Sequence, residues 1–330
     1  MVCNIIGFND MAQHFLLSAA ARTLSLRQIY KDGEDKAYQT FREIRWPETN
    51  GEAVCPKCEH DDCYTIKTRR KFECKACKAQ FSVTSGTIFA SRKMDFTDLL
   101  GAICIFVNAA KGLSALQLSR DLDCQYRTAF VLMHKLREAM AREVADHKVD
   151  GEADIDGAYF GGHIRPANLK EKRIDRRLAR HQTGKRRVVI ALRDRDGRTL
   201  TTVKRREADG VQFAKERAVP NTRINAGEAS HWDELELFFP VGRINHSEAY
   251  SLDGIHTNFA ESYFSRLRRM VRGQHHHVSP KYLHAYASHA AWLEDHRNTS
   301  NGRLAGRIIN NVMTAPVSRQ WAGYTQRGAC

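Results

Sequence analysis

The chain has 330 residues, enough for two or three domains and a sizeable core, and at 42% hydrophobic and 27% charged it is not a disordered chain. It carries 52 Lys+Arg against 38 Asp+Glu, a formal charge of +14. An excess of that size points to a polyanionic partner, most often nucleic acid, ahead of a merely basic soluble protein. No apolar run approaches the ~20 residues of a membrane span.

Residues 1–50 read as an N-terminal helical segment that stops at the turn-like "WPETNGE". Its early stretch "HFLLSAAARTLSL" looks like a short signal core, but no basic segment precedes it and Arg22 interrupts it. The expectation is an amphipathic helix in a cytoplasmic protein, with no membrane partner.

Residues 51–92 are short, β-prone and rich in cysteine. Nine cysteines are present, an odd number, and four fall in "CPKC" at 55–58 and "CKAC" at 74–77. Two such knuckles bring Cys55, Cys58, Cys74 and Cys77 into the spacing of a structural Zn²⁺ site in a reducing compartment; four free thiols are the alternative. The pieces "CYTIKT", "RKFECK" and "AQFSVTSGTIF" suit the strands of a zinc ribbon, which is too small to fold without its metal. Cys63 fits neither knuckle, and Cys104 and Cys124 fall in apolar helical patterns expected to be core.

Residues 93–148 have helical period: a long helix from Phe96, a short one N-capped by Ser114, and a longer one beginning near Gln125, with Gly112 closing the first. The last two resemble a helix-turn-helix that would offer Gln125, Tyr126, Arg127 and Thr128 to DNA. A generic three-helix packing unit would look similar.

Residues 149–300 alternate β-like and helical segments, as an α/β domain does. "GEADIDGAYFGGH" reads as a strand with Asp154 and Asp156 on one face. A hairpin follows with Asp196-Gly197 in its turn, then a helix near 207–217, a strand at 222–226, a helix near 229–238 and a strand in "GRINHS". The order βββαβαβα is that of an RNase H-like fold, in which acids at strand ends and on a late helix hold divalent metal for phosphoryl transfer. On that late helix, "HTNFAESYFSRLRRMVRG", Asn258, Glu261, Ser265 and Arg268 form one continuous stripe. A solvated charge is the ordinary alternative for Glu261. The basic loop 165–187 reads either as a solvated face or as a DNA-backbone track through Arg173, Arg176, Arg177, Lys185, Arg186 and Arg187, with Arg266 and Arg269 joining from the helix. Residues 301–330 have weak periodicity and are expected to be loosely held.

The motifs "DIDGAYFGGH", "RINHSEAYS", "HTNFAESYFSRLRR" and "HHHVSPKYLHAYASHAAWLEDHRNTSNG" resemble the bacterial insertion-sequence transposases that join a zinc ribbon to a DDE catalytic domain. "SVTSGTIFASRKM" and "GLSALQLSRDLDCQYRTAFVLMHKLREAM" are similar to the amino-terminal half of the same family. The resemblance runs from about residue 12 to 303. It implies cleavage and strand transfer at transposon ends, with Mg²⁺ or Mn²⁺ as cofactor, double-stranded DNA as partner, and a dimer or larger assembly on it. It carries the first acid onto Asp156, the third residue onto Glu261 or Asn258, and the basic residue after it onto Arg268. Of the two, Glu261 is preferred because a carboxylate is the better hard-metal ligand.

The second aspartate of that pattern falls on Gly227 in "NAGEASHWDEL", which is otherwise intact. Glycine offers no ligand, so either catalysis is impaired or Glu228 substitutes. A smaller departure is His289, where relatives tend to carry an acid. Two readings therefore stand: a DDE transposase holding metal through Asp156 and Glu261, and a catalytically inactive or domesticated relative that only binds DNA. A zinc-ribbon transcription factor would leave the α/β half without a purpose.

Overall fold

The computed structural model describes residues 15–162, 167–174, 181, 184–245, 247–324 and 326. Its helices are α1 (Leu26–Arg45), α2 (Phe96–Asn108), α3 (Ala115–Asp121), α4 (Tyr126–Arg142), α5 (Asp209–Arg217), α6 (Asn258–Met270), α7 (Leu283–Asp295) and α8 (Asn301–Thr314). Its strands are β1 (Cys63–Ile66), β2 (Lys71–Cys74), β3 (Gln80–Phe81), β4 (Glu152–Phe160), β5 (Arg187–Asp194), β6 (Thr199–Lys204), β7 (Arg223–Gly227) and β8 (Val241–Ile244). They divide between two units. One takes the described residues to Asn108 together with His296–Pro316; the other takes Ala109–Asp295 and the described residues from Val317. The segment 93–148 is thus shared, with α2 in the first unit and α3 and α4 in the second.

In the first unit, α1, α2 and α8 pack on one another, and β1, β2 and β3 form an antiparallel sheet. Helix α1 turns at Gly33, whose φ of +77° is a conformation that glycine adopts without cost. The next residue, Glu34, accepts hydrogen bonds from the backbone N–H and hydroxyl of Thr97 (2.8 and 3.0 Å) and pairs with Arg70 at 2.7 Å. One carboxylate so joins α1 to the start of α2 and to the ribbon. Trp46, at the end of α1, meets the ribbon's Phe72 edge-on at 5.5 Å and Phe81 at 6.4 Å.

Two expectations are corrected here. The apolar stretch before α1 forms short 3-10 turns, Phe15–Leu17 and Ala19–Ala21, not an amphipathic helix; its first residue, His14, lies outside the described ones. Residues 301–314 are not loosely held, because Leu304, Ala305, Ile308, Ile309, Val312 and Met313 of α8 are all buried, while 325 and 327–330 of the expected tail lie outside the described residues. Among the described residues, no helix is long and apolar enough to cross a membrane. "SVTSGTIF" also departs from the ribbon expectation. After β3 its hydroxyls bond the local backbone (Ser85 Oγ accepts from Ser82 N–H, Thr87 Oγ1 from Phe89 N–H), which favours turns over a continued strand.

The second unit is built on a five-stranded mixed sheet in the order β6-β5-β4-β7-β8. Strands β4, β5 and β6 run antiparallel, while β7 and β8 run parallel to β4. Its core gathers Ile155, Val188, Ile190, Leu192 and Ile224 from the strands with Val211 and Phe213 of α5. The helix expected near 229–238 follows β7 as a 3-10 helix, Ser230–Leu237. Its buried residues, Trp232 and Leu235, are three apart, the period of that helix. Trp232 lies against Gly210, where a Cβ would meet its ring at 2.7 Å. Ser114 caps α3 by accepting from Gln117 N–H at 3.1 Å, whereas α2 ends at Asn108, leaving Gly112 (φ +78°) in the turn beyond it.

Helix α4 packs on α7, and its His134 is wholly buried between Trp321 (4.3 Å, stacked), Phe130 (4.5 Å) and Tyr282 (5.2 Å). Burial, with the nearby Arg137 charge, holds its pKa down at about 3. An unfolded histidine titrates near 6.5, so the unfolded state takes up the proton first. The neutral ring's contribution is complete above that value and is lost as pH falls toward 3. The second unit is expected to lose about 2 kcal/mol from this residue between pH 7 and pH 5. Denaturant titrations at the two pH values, compared with those of His134→Phe, check this: the variant should lose about 2 kcal/mol less.

Candidate functional site

The acids of the second unit are set by β4, the central strand. Asp154 and Asp156 alternate onto one face of it. Asp154 is fully buried. It accepts from the Phe259 N–H in the first turn of α6 at 3.0 Å and from Asn225 Nδ2 of β7 at 3.3 Å, with Arg195 at 3.5 Å and His256 at 3.7 Å. Burial pushes its pKa up, while Arg195 and the Phe259 N–H act the other way. Asp154 therefore ties α6 to β4 and β7, a role that spacing alone did not reveal.

Asp156 lies two residues on. Burial raises its pKa to about 6; the Gly157 N–H and Arg268 act to lower it, and the charges of Glu207 and Glu261 to raise it. The late helix thus brings Glu261 and Arg268 to bear on Asp156. Asn258, Glu261, Ser265 and Arg268 are all exposed along one side of α6, while Ala260, Tyr263, Phe264, Leu267 and Met270 are buried on the other. Thr257 Oγ1 donates to Glu261 at 3.3 Å, and the Arg268 guanidinium lies 5.7 Å from the Phe264 ring centre.

Gly227 ends β7. The parallel register pairs Ile155 with Ala226, so the next residues, Asp156 and Gly227, fall side by side on the same face. A Cβ on Gly227 would have no atom within 4 Å, and the backbone there is not in the left-handed region. An aspartate side chain fits at this position. Glu228 is exposed just beyond the strand. The carboxylate whose charge weighs most on Asp156 is a different one, Glu207, in the β6–α5 connection. It lies over Gly157, where any Cβ would run into it, and 3.6 Å from His231 Nε2. The glycine after Asp156 was the available signal for that close approach.

These are hard oxygen donors on a partly buried face, the chemistry of a Mg²⁺ or Mn²⁺ site. The charges of Glu207 and Glu261 beside Asp156 fit a cation there. Among the described residues, however, only the four cysteines bring three or more donor atoms within 4.8 Å of one another. The acid face is thus more open than a closed three-ligand site.

In the ribbon, Cys55 and Cys77 sulfurs lie 3.6 Å apart and those of Cys58 and Cys74 3.5 Å apart, the four forming one compact group. That group fits a tetrahedral structural Zn²⁺. Cys63 lies outside it, its sulfur directed to the His60 carbonyl at 3.8 Å.

The residues expected to meet DNA divide. Gln125, Tyr126 and Arg127 are exposed and Thr128 half-buried at the start of α4, with Tyr126 stacked on Phe130. Arg173 bonds the Ala167 and Asn168 carbonyls, and Arg187 those of Gly184 and Arg186; Arg186 lies 4.1 Å over the Tyr159 ring. Lys185 is exposed beside them, and Arg176 and Arg177 lie outside the described residues. Arg269 is exposed, bonding the Ser265 carbonyl. Arg266 is committed inside the unit, at 2.7 Å from Glu294, whose burial demands a countercharge.

Two family models match the chain: the transposase zinc-ribbon domain over residues 33–80 and the ISXO2-like transposase domain over residues 148–295. No curated protein and no solved structure matches it. The purified chain is expected to contain about one zinc per molecule and Cys74→Ser about none, with loss of the ribbon fold. Elemental analysis and limited proteolysis check this.

Proposed function

The chain belongs to the insertion-sequence transposases that join a zinc ribbon to an ISXO2-like transposase domain, and from there we propose that it binds the terminal inverted repeats of its element and performs metal-dependent DNA strand cleavage and transfer, impaired by Gly227. The observation that carries this reading is the register that sets Asp156 beside Gly227, with Glu261 and Arg268 of α6 acting on the same carboxylate.

The domain reads as RNase H-like. In support, the sheet runs third-second-first-fourth-fifth strand, with the first three antiparallel and the last two parallel to the first. Asp156 and Glu261 hold the divalent cation, and Asn258 lies one turn earlier on the same exposed stripe. The chemistry that Mg²⁺ or Mn²⁺ supplies there, when bound, is activation of the attacking oxygen and neutralisation of charge on the scissile phosphate. Arg268 holds a DNA phosphate at the site, and Glu228 lies at the margin left by Gly227. Helices α3 and α4 act as the helix-turn-helix, in line with the exposure of Gln125, Tyr126 and Arg127. The ribbon and the 165–187 loop add sequence-independent backbone contacts. The chain works in the cytoplasm, as a dimer or larger assembly, because joining two transposon ends needs two active sites.

Gly227 itself favours a second reading, a relative that binds DNA and does not cut it. The Gly227→Asp variant separates the two. With Mn²⁺ and a duplex bearing a terminal repeat, its nicking rate is expected to exceed that of the parent by at least about a hundredfold, and Asp156→Asn should abolish it. Binding without cleavage by both parent and Gly227→Asp would establish the second reading. Robust parent cleavage lost in Glu228→Gln would show that Glu228 replaces the missing aspartate.

A further inference from the structure

Beyond the acid face, the second unit holds a groove of about 960 Å³ between β6, the β6–α5 connection and the first turns of α7. Its walls carry Arg187, Lys204, Arg205 and Arg206 against a single carboxylate, Asp209, which pairs with Arg206 at 3.1 Å. His284 and Ser288 of α7 close the other side. None of Lys204, Arg205, Arg206 and His284 belongs to the basic loop or to the late helix.

The position of the groove gives it a use. Asp156 pairs across the sheet with Ala191, and Ala191 with Thr201 of the groove wall. Residues directly opposite on neighbouring strands share a face, so the Thr201 wall of the groove lies on the Asp156 face, two strand spacings or roughly 10 Å away. Glu207, the residue that follows Arg206, lies over Gly157, the residue after Asp156, and its charge bears on Asp156. A cationic groove therefore lies near an anionic centre. That order suits a polyanion whose backbone is held by cations while one phosphate reaches a metal.

We propose that this groove is the track of the DNA sugar-phosphate backbone next to the reacting phosphodiester, with Lys204, Arg205 and Arg206 neutralising successive phosphates. The assignment rests on the transposase reading and adds to it the surface that aligns the strand. Lys204 and Arg205 are the main contacts. Arg206 is shared with Asp209, which holds its guanidinium at the rim in the absence of a phosphate.

The test is the salt dependence of binding of the full zinc-loaded chain to a fluorescent 30-base-pair duplex without added divalent metal, followed by anisotropy. Each neutralised phosphate contributes about −0.9 to the slope of log K against log salt. The triple variant Lys204→Gln, Arg205→Gln, Arg206→Gln is expected to flatten that slope by about 2 to 3. Arg205→Gln alone, at an exposed position that tolerates polar replacement, is expected to flatten it by about 1 and guards against misfolding of the triple variant. A parent that binds DNA while both variants keep its slope and affinity would overturn the groove and leave the transposase reading standing. A parent that does not bind DNA overturns both. Preferential binding of single-stranded RNA of the same length, lost in the variants, would assign the groove to RNA and overturn the DNA proposal.

Discussion

The Asp154 carboxylate lies wholly out of water, a position that is costly for a charge unless several donors converge on it. Here they come from three directions: the first turn of α6 through the Phe259 N–H, β7 through Asn225, and the β5–β6 end through Arg195. Because its partners lie on separate elements, the bond network fixes how far α6 stands from β4. Everything else on that face follows from this spacing. Arg193 donates to the Phe259 carbonyl at 3.2 Å and pairs with buried Glu294, which in turn holds Arg266, so the helix is clamped along its length by charges that have no water to turn to. Glu261 and Arg268 face Asp156 because the other side of α6 is locked.

The cysteine cluster and the acid face obey different physics. In the ribbon, four soft thiolates converge from two local knuckles, and the small sheet contributes little core beyond Phe72 and Phe81 against Trp46. Folding and ligation are there one process. On the acid face the scaffold is complete in itself: β4, β7 and α6 are held by buried apolar side chains and by Asp154, none of which waits for a cation. The absence of a carboxylate at residue 227 therefore leaves the fold intact and alters only the chemistry on its surface.

This contrast also explains what could be read from the residues alone. The knuckles, the β4–β6 strands, Asp156 and the α6 stripe are periodic or local, and local spacing survives folding unchanged. Glu207 was not legible, because its approach to Asp156 depends on a loop and on the missing Cβ of Gly157. The capping of α6 by Asp154 joins residues 105 apart in the chain, and no pattern along the strand announces it. The helix at Ser230–Leu237 was legible, but not its 3-10 form, whose buried Trp232 and Leu235 are three residues apart. Helix α8 was within reach: Leu304, Ala305, Ile308, Ile309, Val312 and Met313 trace a helical stripe behind Ser300.

The division into two units crosses the chain three times, at residues 108, 295 and 316. Helix α8 completes the first unit around α1 and α2, and the following turn brings Trp321 into the second, against His134 and Tyr282. Neither unit is a continuous stretch of polypeptide. During synthesis the first unit therefore stays incomplete until α8 has been made, and the second until Trp321 has.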